Sequence, residues 1–187
     1  MTEFTKTDFS LNANQKAERK LLVTAVNTGT TNEPVWTVIG AGVEDSAIEL
    51  NPDVETITDI LGISETTVNK LEPSQDFEPM TIRGGNPLLF TLNDIIERNA
   101  LSELTQFEVL IIKAFINEGT EEKPAYRTEK HVGCTITPQS LGGSSYVDMP
   151  VNIAYSNDKT LGTVNAYKAK DTIEFTPLAA TNTEAGE

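Results

Sequence analysis

The sequence predicts a mainly β protein: an antiparallel β-sandwich or partly closed barrel with one flanking α-helix. Three observations predict it. Short runs of period-two alternation follow one another along most of the 187 residues. Only one stretch, around Leu88, Leu92, Ile95 and Ile96, repeats its apolar residues at helical spacing. No helical segment separates most successive strands, which excludes a doubly wound parallel sheet.

Residues 1–18 are polar apart from Phe4, Phe9 and Leu11, and are expected to form an N-terminal arm. A single domain is expected over residues 19–176, with a small-residue acidic tail over 177–187. Residues 19–27 form a first strand with Leu21, Val23 and Ala25 on one face. Residues 28–34 turn the chain, and residues 35–40 form a second strand ended by Gly40 and Gly42.

Residues 47–50 and 54–60 continue as strand around the Asn51-Pro52 bend. In the second of these, Val54, Thr56, Thr58 and Ile60 share one face, and Asp53, Glu55, Ile57 and Asp59 share the other. The alternation predicts a half-buried ribbon that presents carboxylates to solvent. From Glu33 to Glu78 acids recur every few residues, and Lys70 is the only base among them.

Residues 62–75 alternate weakly, with Ile63, Val68 and Leu71 separated by polar residues, and read as a long loop or extended hairpin. Strand resumes over 77–83. Pro87 behind Asn86 suits a first helical position behind its cap, so a helix is expected over 87–99, with Thr91 and Asp94 a rival start and a further turn at Ser102-Glu103-Leu104 a rival end. Residues 107–116, FEVLIIKAFI, are apolar on both faces and predict the central strand, covered on both sides. Residues 126–137 form a strand in which Tyr126, Val132, Cys134 and Ile136 alternate against Arg127, Glu129 and His131. Residues 146–155, 162–167 and 172–175 complete about eight or nine strands.

Charge narrows the function. A formal net charge of -14 opposes direct nucleic-acid affinity, which relies on Lys and Arg neutralising phosphates. It opposes adhesion to an anionic membrane for the same reason. The N-terminus has no apolar core of the signal-peptide kind, so synthesis in a cytoplasm is expected. One cysteine, Cys134, excludes an internal disulfide framework.

No motif for chemistry emerges. His131 is the only histidine, sits mid-strand, and has no Gly-x-Ser-x-Gly elbow to serve. His131 and Cys134 are expected on opposite strand faces, which defeats a shared metal. The acids from Asp53 to Asp59 lack the central glycine of a calcium loop. Gly84-Gly85 and Gly142-Gly143 lack the Lys-Ser or Lys-Thr of a phosphate loop and read as turns. Trp36, Tyr126, Tyr146, Tyr155 and Tyr167 are scattered, which disfavours a sugar-stacking platform. No catalytic residue, metal or cofactor is expected.

A series of markers remains: Trp36-Thr-Val-Ile-Gly-Ala-Gly42; the acidic Asn51-Pro-Asp-Val-Glu-Thr-Ile-Thr-Asp-Ile60; a long polar segment; and Gly85-Asn-Pro87 leading into the helix. The apolar strand 107–116, Ala125-Tyr126, Gly142-Gly143, Gly162-Thr-Val164 and Phe175-Thr-Pro177 follow. In this order, over roughly residues 20–178, the chain resembles the major tail tube proteins of long-tailed, siphovirus-type bacteriophages, especially those of Gram-positive hosts. Residues 62–75 depart from the pattern.

The resemblance implies a structural virion protein, made in the bacterial host cytoplasm and located in the virion tail. Its hexameric rings would stack into a hollow conduit around the tape measure protein and pass DNA without binding it. Tail terminator and tail tip proteins would be further partners, and no membrane binding is implied. Residues 62–80 would form the inter-ring loop, with Ile63, Val68, Lys70, Leu71, Phe77 and Met80 in contact. Asp53, Glu55 and Asp59 become candidates for an acidic lumen, since such a lining repels phosphates. The inner tube of a contractile tail or related injection device is the nearest alternative. A secreted carbohydrate-binding β-sandwich and an enzyme rank behind it.

Overall fold

Strand pairing in this chain follows its apolar runs, and the longest of them organises the rest. The computed structural model describes residues 8–178. Strands β1 (Leu22–Asn27), β2 (Trp36–Val38), β3 (Ile48–Glu49), β4 (Pro52–Thr58), β5 (Ser64–Leu71) and β6 (Ser74–Phe77) precede helix α1 (Pro87–Arg98). Strands β7 (Phe107–Asn117), β8 (Tyr126–Pro138), β9 (Val151–Ala154), β10 (Lys159–Val164) and β11 (Phe175–Pro177) follow it. A curled antiparallel sheet runs β2-β1-β7-β8-β9-β6-β3, with β10 and β11 branching from β8, while β4 and β5 pair only with each other. The fold is therefore mainly β with one helix, as the alternation predicts.

β7 is covered on both faces. Phe107, Val109 and Ile111 join Leu88, Leu92 and Ile95 of α1 in the larger core. Leu110 and Ile112 join Ala25, Trp36, Val164 and Ile173 in a second core on the other side. A strand buried on both faces carries apolar residues at odd and even positions alike, which is why the run lacks alternation; its two charged residues, Glu108 and Lys113, are paired with Lys130 and Glu129.

The helix begins where its cap residues dictate. The Asn86 side chain accepts a hydrogen bond from the Leu89 N–H at 3.2 Å, and Pro87 occupies the first turn, where its missing N–H costs nothing. Asn99 closes it in a left-handed conformation, φ 54°. Thr91 lies inside the helix, its hydroxyl donating to the Pro87 carbonyl at 2.9 Å, so the later start is not used.

The sheet forks along β8. One edge of β8 pairs with β7; the other pairs with β10 up to His131 and with β9 from Thr135. Gly133 sits at the fork with φ 74°, and the pairing skips it, from Phe107↔Cys134 to Glu108↔Val132. This bulge corrects an expectation. One extra residue reverses the facing of everything after it, so His131 and Cys134 are both buried and Val132 is exposed.

Three further expectations need correction. The strand over 77–83 is instead β6, which ends at Phe77. Phe77 and Met80, expected in an inter-ring loop, are buried in the larger core because the chain has already returned to the sheet there. Met80 is fastened by a hydrogen bond from the Met149 N–H to its carbonyl at 2.8 Å. The strand expected over 146–155 contracts to β9, because Asp148 makes only isolated bridges to Thr81 and Gly142.

A buried polar knot ties β6 to β1. Gln75 is 1% exposed, and its Oε1 accepts from the Thr24 hydroxyl at 2.8 Å and the Tyr155 hydroxyl at 2.6 Å. Its Nε2 donates to Ser46 Oγ at 3.0 Å, and Ser46 Oγ donates to the Asp76 carbonyl at 2.6 Å. Gln75, Thr24, Tyr155 and Ser46 thus all have partners within this knot, as a low-dielectric interior requires.

Candidate assembly surface

β4 and β5 leave the body as a free two-stranded arm. Every residue of both strands is exposed. The half-buried ribbon expected over 54–60 is therefore corrected: the alternation is present, but both faces are exposed among the described residues. Val54 pairs with Val68, Thr56 with Thr66 and Thr58 with Ser64, while Glu55 pairs with Thr67 and Ile57 with Glu65. One face is consequently a stripe of valines and hydroxyls, and the other carries two carboxylates around Ile57.

Hydroxyl pairs hold the arm in register. Thr56 and Thr66 meet at 3.0 Å, and Thr58 and Ser64 at 2.8 Å. The tip is a closed turn. The Asp59 N–H donates to the Ile63 carbonyl at 2.9 Å, and the Gly62 N–H to the Asp59 carbonyl at 3.0 Å. Asp59 Oδ1 also accepts from the N–H groups of Leu61 at 2.8 Å and Ile63 at 2.9 Å. Gly62 takes φ 79°, which a Cβ would oppose.

The arm carries its apolar side chains into solvent. Ile60 is fully exposed, Leu61 is 79% exposed, and Ile57, Ile63, Val54 and Val68 are all more than half exposed. Ile60, Leu61 and Ile63 lie together in the tip, while Val54 and Val68 share one strand face and Ile57 lies on the other. Of the residues expected in contact, Ile63, Val68, Lys70 and Leu71 lie on this arm, while Phe77 and Met80 do not.

The three acidic residues singled out by sequence have different roles. Asp53 lies opposite Lys70, whose ammonium reaches Glu72 at 2.6 Å. That partnership raises the Lys70 pKa, first through its hydrogen bond to Glu72. Glu55 receives only a long contact from Asn69 Nδ2 at 3.4 Å. Asp59 turns its carboxylate back onto the tip backbone.

Elsewhere, Glu129 gathers three basic side chains. Lys113 Nζ lies 2.5 Å from it, Lys159 Nζ 3.4 Å, and His131 Nε2 3.4 Å. His131, Lys113 and Lys159 together hold the Glu129 carboxyl well below the usual carboxylate range, against the opposing effect of burial. The other ring nitrogen of His131 contacts the Ser156 carbonyl at 2.7 Å. His131 and Cys134 thus share one interior, but among the described residues no group of three or more His, Cys, Asp or Glu gathers as a metal site. A cleft of about 330 Å³ is lined by Arg19, Thr24, Gly40, Ser46 and Phe77, and a more open one of about 540 Å³ by Asn27, Thr91, Glu103 and Glu108. Neither contains His131 or Cys134. No described helix is long and apolar enough to cross a membrane.

No family model matches the chain, and neither does any curated protein. Solved structures match at the level of backbone. The sheath–tube complex of an extracellular contractile injection system, PVC, in its extended state contains a chain with TM-score 0.47 and 10% identity, covering 81% of this chain and 94% of that one. The tube-terminating cap of the anti-feeding prophage matches with TM-score 0.47 and 10% identity, over 82% and 95%. The sheath/tube terminator of the extended PVC system matches with TM-score 0.45 and 12% identity, over 80% and 99%.

Proposed function

We propose that this protein is a non-enzymatic structural subunit of a phage tail tube or related injection tube, joined to copies of itself through the β4–β5 arm. The arm carries the reading. A lone two-stranded hairpin in water is marginal, and this one exposes branched aliphatic residues along its length and tip. The two cores close without it. A segment that contributes nothing to its own core but is held in shape suits contact with another molecule, and identical copies are the commonest such partner.

The rest of the reading follows the sequence resemblance. Subunits would close into hexameric rings, stack around a tape measure protein, end on terminator and tip proteins, and pass DNA. The net charge of -14 supports free passage, since an acidic wall repels phosphates. Asp53 and Glu55 remain the candidates for that wall; the inward turn of Asp59 argues against it there. Siphovirus-type tails and contractile devices place the same demand on a tube subunit, and a sheath around the tube separates them. The carbohydrate-binding reading loses support because Trp36 and Tyr155 are buried, and Tyr126 is engaged edge-on with Tyr167 at 4.9 Å.

Electron microscopy of the purified protein after concentration tests the proposal. Uniform hollow tubes or stacked rings are expected. A protein that stays monomeric at millimolar concentration, with and without a seeding tail tip, would overturn it.

A further inference from the structure

The turns after β1 and β7 are built alike, but different chemistry stands beside them. Asn27 Oδ1 accepts from the N–H groups of Gly29 at 2.9 Å and Val35 at 3.0 Å. Asn117 Oδ1 accepts from those of Gly119 at 3.0 Å and Ala125 at 2.9 Å. Beside Asn117 stands the Glu118–Arg127 ion pair, whose guanidinium stays charged and is no nucleophile. Asn27 Nδ2 instead donates to Glu108 Oε2 at 2.9 Å, and Glu108 Oε1 lies 3.0 Å from Lys130 Nζ. That ammonium also stands over the Trp36 ring, 5.7 Å from its centroid. Trp36 is the register partner of Asn27 on β2, and Glu108 meets Asn27 from the β7 side. The amine therefore contacts the two residues that flank Asn27. Glu108 and Trp36 are buried, and the Lys130 side chain is only 21% exposed.

We propose that Lys130 and Asn27 join in an intramolecular isopeptide bond, with Glu108 carrying the protons. Glu108 takes a proton from the Lys130 ammonium, and the freed Nζ lone pair attacks Asn27 Cγ. The carbonyl electrons move onto Oδ1, where the Gly29 and Val35 N–H groups already point. Glu108 then hands its proton to Nδ2 and collects the one that Nζ sheds. The Cγ–Nδ2 bond breaks, the carbonyl re-forms, and nitrogen leaves as ammonium, with Glu108 ionised again. Lys-NH3+ and Asn-CONH2 thus become one amide and one ammonium ion, with no oxidation or reduction. Asn27 and Glu108 line the open cleft of about 540 Å³, which gives the ammonium its way out. The bond ties β1 to β8 across β7. It forms once, on the chain's own side chains, and does not depend on the assembly reading.

Intact mass spectrometry of the purified full chain tests this directly. The wild type should weigh about 17 Da less than its sequence, the mass of one ammonia lost in a covalent modification. Tandem spectra should show the peptides of Asn27 and Lys130 joined, with trypsin unable to cut after Lys130. The Asn117 peptide should keep its full mass. Lys130→Arg keeps a cation beside Glu108 but offers no nucleophile, and Glu108→Gln keeps the shape but removes the base. Both variants should keep their full sequence mass.

A folded wild type that stays at full sequence mass after days of incubation would overturn the proposal, whether or not either variant folds. The same mass loss in Lys130→Arg would also overturn it, because Asn27 would then be closing onto its own backbone. If Glu108→Gln still joins residues 27 and 130 at the wild-type rate, the bond stands and the part given to Glu108 is wrong.

Discussion

Asn51 and Glu72 meet at the base of the β4–β5 arm. The Asn51 side-chain amide donates to the Glu72 carbonyl at 3.1 Å, and the Glu72 N–H contacts the Asn51 carbonyl at 3.3 Å. The two ends of the arm are therefore already joined. Replacing residues 53–70 with a two-residue Asn-Gly turn should leave the body folded, with its melting temperature within a few degrees of the parent. Tubes should be absent. Thermal melts and negative-stain images of the same preparation check both halves, and normal tubes would remove the arm from the assembly surface.

The knot around Gln75 should be costly to cut. Gln75→Leu leaves the Thr24 and Tyr155 hydroxyls buried without their shared acceptor. A loss of about 2–4 kcal/mol in unfolding free energy is expected, and Thr24→Val alone should cost only about 1 kcal/mol. Urea titration measures both. Equal values for the two variants would show that Gln75 is not the centre of the network.

Acid should weaken the body through Glu129. Its folded-state pKa is depressed by His131, Lys113 and Lys159, so it binds its proton more readily when unfolded. Its contribution is therefore present above the ordinary glutamate pKa of about 4.3 and is lost as the pH falls below that value toward the folded one. Glu129→Gln should cost about 1–3 kcal/mol at pH 7 and much less at pH 3. Parallel denaturant curves at the two pH values decide it; an equal cost at both would refute the electrostatic origin.

Cys134 should be chemically silent in the folded protein. It is fully buried, and burial pushes its thiol pKa up to about 11. Iodoacetamide at pH 8 should label it only at the rate of unfolding and rapidly in urea. Fast labelling of the native chain would mean that the β8 fork opens readily.

Some of this architecture is legible in local sequence. The Asn86-Pro87 start needs only a cap side chain and a residue without an N–H, so it appears in four residues of text. β7 announces burial on both faces by lacking alternation. The fork at Gly133 is not legible in that way. A glycine between Val132 and Cys134 marks a bulge only once β7 supplies the register it interrupts, and the facing of His131 depends on that register. Phe77 and Met80 follow a polar stretch in the chain, so sequence adjacency assigned them to the contact loop. The Met149 N–H and the helix core return them to the interior.

The arm divides the two kinds of information most clearly. Sequence by itself determined that residues 53–60 alternate, that acids crowd this part of the chain, and that no catalytic motif is written into it. Periodicity and charge are local properties, set by backbone geometry and residue type. Only the tertiary structure decided that both faces of the arm lie open, that Asp59 turns back onto its own tip, and that the aliphatic residues point to solvent. Burial belongs to whatever packs against a face, and for β4 and β5 no other part of the described chain does.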